Sequence, residues 1–241
     1  VTGYFQDAIA FGSSTLSTAG GADIFVAKIN SNGAWQWAVS AGGAGDDEIA
    51  VGIAATSTGD AIVVGQANDS SNFGSHGIST AGGIDAFVAK ISASGSWAWA
   101  TVGGGQGSDF ANSVSLDSSD NVFVVGMFQG GTTGAQFGST QVAATGSMDA
   151  FISRLTSTGS WDWTKTAGSG NGALAGFSIA HGSGSSYVAG YFSGTGNWGS
   201  FQKTATSDCA DGYVANINDA GTWQWVTTAG ASGPTYTIVK A

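Results

Sequence analysis

Trp35-Gln36-Trp37, Trp97-Ala98-Trp99, Trp161-Asp162-Trp163 and Trp223-Gln224-Trp225 are one element met four times. The steps between the second tryptophans are 62, 64 and 62 residues. A fixed period of this kind signals a repeat architecture and is read before any local feature. Working outward, each tryptophan pair follows a run opened by an aspartate. These runs are Asp23-Ile24-Phe25-Val26-Ala27, Asp85-Ala86-Phe87-Val88-Ala89, Asp149-Ala150-Phe151-Ile152-Ser153 and Asp211-Gly212-Tyr213-Val214-Ala215. A third marker is Val1-Thr2-Gly3-Tyr4, Val63-Val64-Gly65-Gln66, Val124-Val125-Gly126-Met127 and Val188-Ala189-Gly190-Tyr191. A fourth is Phe11-Gly12, Phe73-Gly74, Phe137-Gly138 and Trp198-Gly199. Four markers at one period make coincidence untenable.

The second repeat shows the unit. Residues 49–56, 61–66, 86–91 and 97–102 read as strands a, b, c and d. Thr58-Gly59-Asp60 and Ala93-Ser94-Gly95 supply tight turns between a and b and between c and d. Four antiparallel strands without a helix make one propeller blade. The expected fold is therefore all-β: a four-bladed β-propeller of four-stranded antiparallel blades.

These residues resemble the bacterial beta-propeller repeat family of the SBBP type. Its unit runs as an aspartate, an aromatic, a Val-Ala-Lys run, a tryptophan-bearing strand, a Gly-Gly loop and a closing Val-Val-Gly. Residues 23–30, 35–43 and 52–65 match that pattern, and the likeness extends over nearly the whole chain. The strand order is similar to that of kelch-type propellers. The resemblance implies a propeller and a secreted or cell-surface setting, and it implies no defined activity. The family label supposes seven blades, whereas this chain carries four repeats.

The first repeat begins in strand b, at residues 1–6, and so lacks strand a. Residues 234–241 sit where a strand should follow the fourth tryptophan pair. The expectation is a single domain over residues 1–241 closed by a split blade. Blade 1 takes residues 1–43 plus 234–241, blade 2 takes 44–104, blade 3 takes 105–168 and blade 4 takes 169–233. Such closure removes two open edges at once. One alternative is that the chain is a slice of a longer propeller, and another is pairing of the last strand with the next molecule.

Composition narrows the function classes. Sixteen acids against six bases give a net charge of -10. That balance excludes a phosphate-binding surface and argues against nucleic acid as a partner. No apolar run reaches the ~20 residues of a membrane span, so no membrane insertion is expected. Glycine at 41 residues with one proline suits many short strands joined by turns. A low-charge surface and a start at Val1 without methionine are read as a processed, extracellular or cell-surface protein. The single Cys209 rules out an internal disulfide framework and is read as a small, partly buried residue.

In an up-and-down blade, the d-to-a and b-to-c connections share one end. The b-to-c connections are long, residues 67–84 and 128–147 among them, and long loops on a rigid scaffold commonly carry binding. Eleven of the sixteen acids fall in or beside these loops, which predicts an acidic face that draws cations or basic partners. The ligand-binding candidates are Asp46, Asp47, Glu48, Asp109 and Trp198. Trp198 is chosen because it breaks the Phe-Gly pattern.

Asp46, Asp47 and Asp109 are also weak calcium candidates, although calcium wants six to eight oxygens. Otherwise no cofactor is expected. Asp23, Asp85, Asp149 and Asp211 recur once per blade and are read as structural, bonding loop backbone. Trp37, Trp99, Trp163 and Trp225 are likewise structural. Each pair sits at i and i+2, expected on one strand face and packed between blades. His76 and His181 fall at opposite ends of the blades, and no serine or cysteine pairs with either by spacing, so no catalytic residue is expected.

The leading expectation is a non-catalytic secreted or surface scaffold that binds a glycan, protein or cation at the acidic face. The alternative is a structural subunit of an extracellular filament or layer, self-assembled through uncharged outer strands. An enzyme on a propeller scaffold stands third, since fold alone does not decide function.

Overall fold

The computed structural model describes residues 1–45, 47–129, 133–206 and 210–230. Residues 234–241, expected to supply the closing strand, lie outside that set, as do Asp46, Asp208 and Cys209. The described chain is all-β, with 21 strands in antiparallel sheets and no helix.

The first repeat forms β1 (Thr2–Phe5), β2 (Ala8–Phe11), β3 (Ser14–Ser17), β4 (Asp23–Ile29) and β5 (Trp35–Ala41). The second forms β6 (Ile49–Ala55), β7 (Ala61–Phe73), β8 (His76–Ile91) and β9 (Trp97–Gly105). The third forms β10 (Asp109–Leu116), β11 (Val122–Phe128), β12 (Ala135–Phe137), β13 (Thr140–Val142), β14 (Asp149–Leu155) and β15 (Trp161–Ser169). The fourth forms β16 (Leu174–Gly182), β17 (Ser185–Phe192), β18 (Thr195–Trp198), β19 (Phe201–Thr204), β20 (Asp211–Asn218) and β21 (Trp223–Ala229).

The main sheets are consecutive meanders: β6-β7-β8-β9, β10-β11-β14-β15 and β16-β17-β20-β21. The first sheet has three strands, β1-β4-β5. The segments read as long loops are hairpins. Gly12, Gly74, Gly138 and Gly199 turn them, each with φ near +60°, a conformation that favours glycine. Each hairpin of the later repeats reaches back to the sheet before it. Ala135 and Gln136 pair with Gly105 and Gly104, Asn197 and Gly196 with Gly168 and Ser169, and Asn72 bridges to Gly42.

Strand alternation builds the core between neighbouring sheets. Ile62 and Val64 of β7 face the third sheet, while Val63 faces the first. Val122 and Val124 of β11 face the second sheet, while Phe123 and Val125 face the fourth. Both faces of these strands are buried, so they read as continuous apolar runs rather than alternating ones. The result is three apolar cores, one at each sheet-to-sheet junction.

The tryptophan pairs differ from the expectation that both rings share one strand face. In every repeat the register shifts between the last two paired residues of the c strand. Trp37 lies opposite Lys28 and Trp35 opposite Ile29, which leaves Gln36 as the extra residue. The same bulge recurs at Trp97/Trp99, Trp161/Trp163 and Trp223/Trp225. A bulged residue breaks the alternation, so the two rings point to opposite faces. Trp37 packs in the same core as Trp97 at the first junction, Trp99 with Trp161 at the second and Trp163 with Trp223 at the third.

Candidate functional site

At the long-loop end, the aspartate that opens each c strand is buried. Asp23, Asp85, Asp149 and Asp211 are each at most 2% exposed. Each holds the turn before it. The Oδ2 atoms accept amides from Ala19, Ala81, Thr145 and Thr206 at 2.9, 2.7, 2.7 and 2.8 Å. Their other side meets Gly42, Gly104, Gly168 and Gly230 at the ends of the d strands, where a Cβ would collide with the carboxyl. The recurring Asp–Gly contact is thus a backbone-capping device within each sheet.

The next sheet brings a second carboxyl to this place. Glu48 precedes β6, and Asp109 opens β10 at the equivalent position. Both are fully buried. Glu48 Oε1 accepts from Ser71 Oγ at 2.9 Å and Oε2 from the Gly43 amide at 3.2 Å. Burial pushes its carboxyl above the usual range, and the nearby charges of Asp23 and Asp47 add to that. Burial also raises Asp23.

At the second junction, Asp109 Oδ2 accepts from the Gly105 amide at 2.7 Å and Oδ1 from the Gln129 amide at 3.1 Å. The Asp85 carboxyl lies beside it, since a Cβ built on Gly104 would collide with both. Two adjacent buried carboxyls favour holding a proton over ionising together. A proton between them would supply the partner that Asp85 Oδ1 otherwise lacks. Burial, with the Asp85 charge, pushes Asp109 up to about 7, and burial raises Asp85 as well. The third junction has Leu174 in this position, also fully buried.

These placements revise the candidate list. Glu48, Asp109 and Trp198 are each 0% exposed and present no surface to a ligand. The sequence placed the two acids in a solvated loop, but the register of strand a turns them into the junction. Trp198 replaces the buried phenylalanine of the other hairpins. It packs on Phe192 and Tyr213 with ring centroids 5.3 and 5.0 Å away. Asp47 is exposed and accepts the Ala22 amide at 2.7 Å. Asp47 and Asp109 belong to different junctions. Among the described residues, no three His, Cys, Asp or Glu side chains gather as a metal site.

The sequence missed one grouping at the tight-turn end. Ser186 lies opposite His181 across β16 and β17, with Oγ 3.0 Å from Nδ1. Asp219 Oδ1 lies 3.7 Å from Nε2, and the imidazole stacks on Phe123 at 4.2 Å. Cross-strand register would have revealed this pair. Ser186 is 1% exposed, so its hydroxyl is not a nucleophile open to substrate. The neighbouring cleft of ≈ 450 Å³ is lined by Asp117, His181 and Asp219 but not by Ser186. His76 sits on the β7–β8 hairpin, opposite Phe73.

The chain matches no protein-family model and no curated protein.

Proposed function

We propose that the chain is a non-catalytic interaction scaffold, secreted or at a cell surface, whose four sheets are propeller blades. The blade reading draws support from the second strand of each sheet. Val63, Val124 and Val188 are at most 1% exposed, whereas their counterpart Val1 is 55% exposed. The first three have an a strand paired beside them. Among the described residues β1 has a partner only on its β4 side.

The observation that carries the binding role is the exposed remainder of the acidic face. Asp7, Asp47 and Asp69 stay accessible beside the loops of the first repeat and first junction. Asp7 and Asp69 have φ of 65° and 51°. Asparagine tolerates that region, so Asp7→Asn, Asp47→Asn and Asp69→Asn together remove charge while keeping the backbone. A lysine-rich peptide should bind the wild-type chain at low salt and bind the triple variant at least about tenfold more weakly, as the loss of three short-range attractions requires. Equal binding by both removes this face from the proposal.

A second reading, a self-assembling structural subunit, is favoured by one observation. The outward tryptophans of the end sheets, Trp35 and Trp225, are 38% and 40% exposed.

A further inference from the structure

Each internal junction stacks a tryptophan on a turn glycine, and in the first and third the indole also donates a hydrogen bond, whereas Trp99 Nε1 in the second has no partner. The second tryptophan of one sheet lies over the glycine of the next sheet's c-to-d turn. A Cβ built on Gly95 would stand 2.9 Å from Trp37 Cδ2, on Gly159 2.7 Å from Trp99 Cδ2, and on Gly221 3.2 Å from Trp163 Cδ2. These glycines have φ of 86°, 87° and 74°. The indole Nε1–H of Trp37 donates to the Ala93 carbonyl at 3.1 Å, and that of Trp163 to the Asp219 carbonyl at 3.0 Å. The first tryptophan of the following sheet closes the same junction from the other side. Trp97 Nε1 donates to the Ser40 carbonyl at 3.2 Å and Trp161 Nε1 to Thr101 Oγ1 at 3.0 Å.

Both halves of this tryptophan-on-glycine contact recur, unfilled, at the two ends of the array. Gly33 has the same turn conformation, φ 79°, yet among the described residues nothing lies within 4 Å of a Cβ built on it. Trp225 is the fourth second-position tryptophan and is 40% exposed beside Tyr187. Trp35, the first-position tryptophan of the first sheet, is 38% exposed. We infer that the fourth sheet of one chain docks on the first sheet of a second copy, with Trp225 over Gly33 and its Nε1–H on the Ser31 carbonyl.

The occupant follows from continuity with the three internal junctions, which already show what covers each half. Among the described residues nothing lies over Gly33 and Trp225 is 40% exposed, and a second copy presents each missing half already formed. The contact is heterologous, head to tail, and each copy keeps one open half. Exposed tryptophans at the centre of a patch are the usual anchors of such contacts. The inference rests on the equivalence of the four sheets and not on the acidic face.

Sedimentation of the full chain against concentration tests it, with Trp225→Ala and Gly33→Asn as variants. Asparagine keeps the turn conformation while filling the socket. The expected wild-type mass rises from 23.8 kDa to its multiples as concentration rises. Each variant alone should remain at 23.8 kDa with an unchanged melting temperature. Mixing the two should restore a 1:1 dimer that extends no further, because one keeps the socket and the other the knob.

A wild-type chain that stays monomeric at every concentration overturns the inference. Shielding of Trp225 from a soluble quencher would then show closure within one chain, and free quenching would show an uncovered face. Assembly that survives in both single variants overturns it equally. Weakened peptide binding by the triple aspartate variant is independent of all these outcomes, so failure of the scaffold role and failure of this contact are separable.

Discussion

Replacing Asp85 by asparagine should reduce a pH dependence of stability that the buried carboxyl pair imposes. Asp85 and Asp109 are 1% and 0% exposed, and their carboxyls lie side by side around Gly104. The folded pair keeps a proton that the unfolded chain gives up at the ordinary carboxylate value. Below about pH 4 both states hold it, and the junction contributes its full stability. As pH rises, the unfolded state releases the proton first, so stability falls until the folded pair also ionises near 7.

Holding one carboxyl from 3.8 up to about 7, at about 1.4 kcal/mol per pH unit, amounts to a loss of about 4 kcal/mol across that window. The introduced carboxamide would place a permanent N–H donor toward Asp109 and keep an oxygen for the Ala81 amide. Asp85→Asn should therefore match the wild type near pH 4 and exceed it at pH 8 by part of that figure, because the burial that also raises Asp109 remains. Urea unfolding followed by tryptophan fluorescence at a series of pH values reads this directly. Asp23 and Glu48, also raised by burial, add a slope of the same sign to both proteins, so the difference between the two curves is the decisive quantity. Parallel curves from pH 4 to 8 would refute the shared proton.

Three further outcomes are expected. Gly104→Ala would drive a Cβ into the Asp85 and Asp109 carboxyls; it should lower unfolding free energy by about 2–3 kcal/mol, measured by urea denaturation. Trp198→Ala should cost about 3–5 kcal/mol, as removal of a fully buried aromatic does, whereas Trp198→Phe should cost far less, because phenylalanine fills the equivalent place at Phe11, Phe73 and Phe137; thermal melts of both variants check this. Lys90 Nζ lies 3.1 Å from Asp60 Oδ2 with both groups partly exposed, so Lys90→Ala should cost under about 1 kcal/mol, and less still in high salt.

Strands a to d of the second repeat are legible almost to the residue, because apolar runs and glycine turns mark them in every unit. Strand b of that repeat runs on to Phe73 and strand c starts at His76, since the intervening segment is a hairpin. The repeated Phe-Gly step holds that information, as a turn glycine flanked by pairing residues. It reads as loop because serine and glycine dominate the composition around it. The tryptophan pairs mislead in a specific way. Spacing i, i+2 gives one face only on a regular strand, and the bulge at Gln36 and its counterparts breaks that rule. Glu48 and Asp109 read as solvated because acids usually are. Their burial depends on register across two sheets, and residue type alone does not carry it. Trp198 stands out by differing from its counterparts, but it occupies the same core position.

The central claim is that one junction joins the sheets three times within the chain and a fourth time between copies. An experimental structure of the assembled full chain tests it most directly. The predicted result places the Trp225 indole over Gly33 of a neighbouring copy, with Nε1–H on the Ser31 carbonyl and Trp35 covered in the same junction. An assembly in which Trp225 faces solvent, or a chain whose own first and fourth sheets meet through these residues, would contradict it.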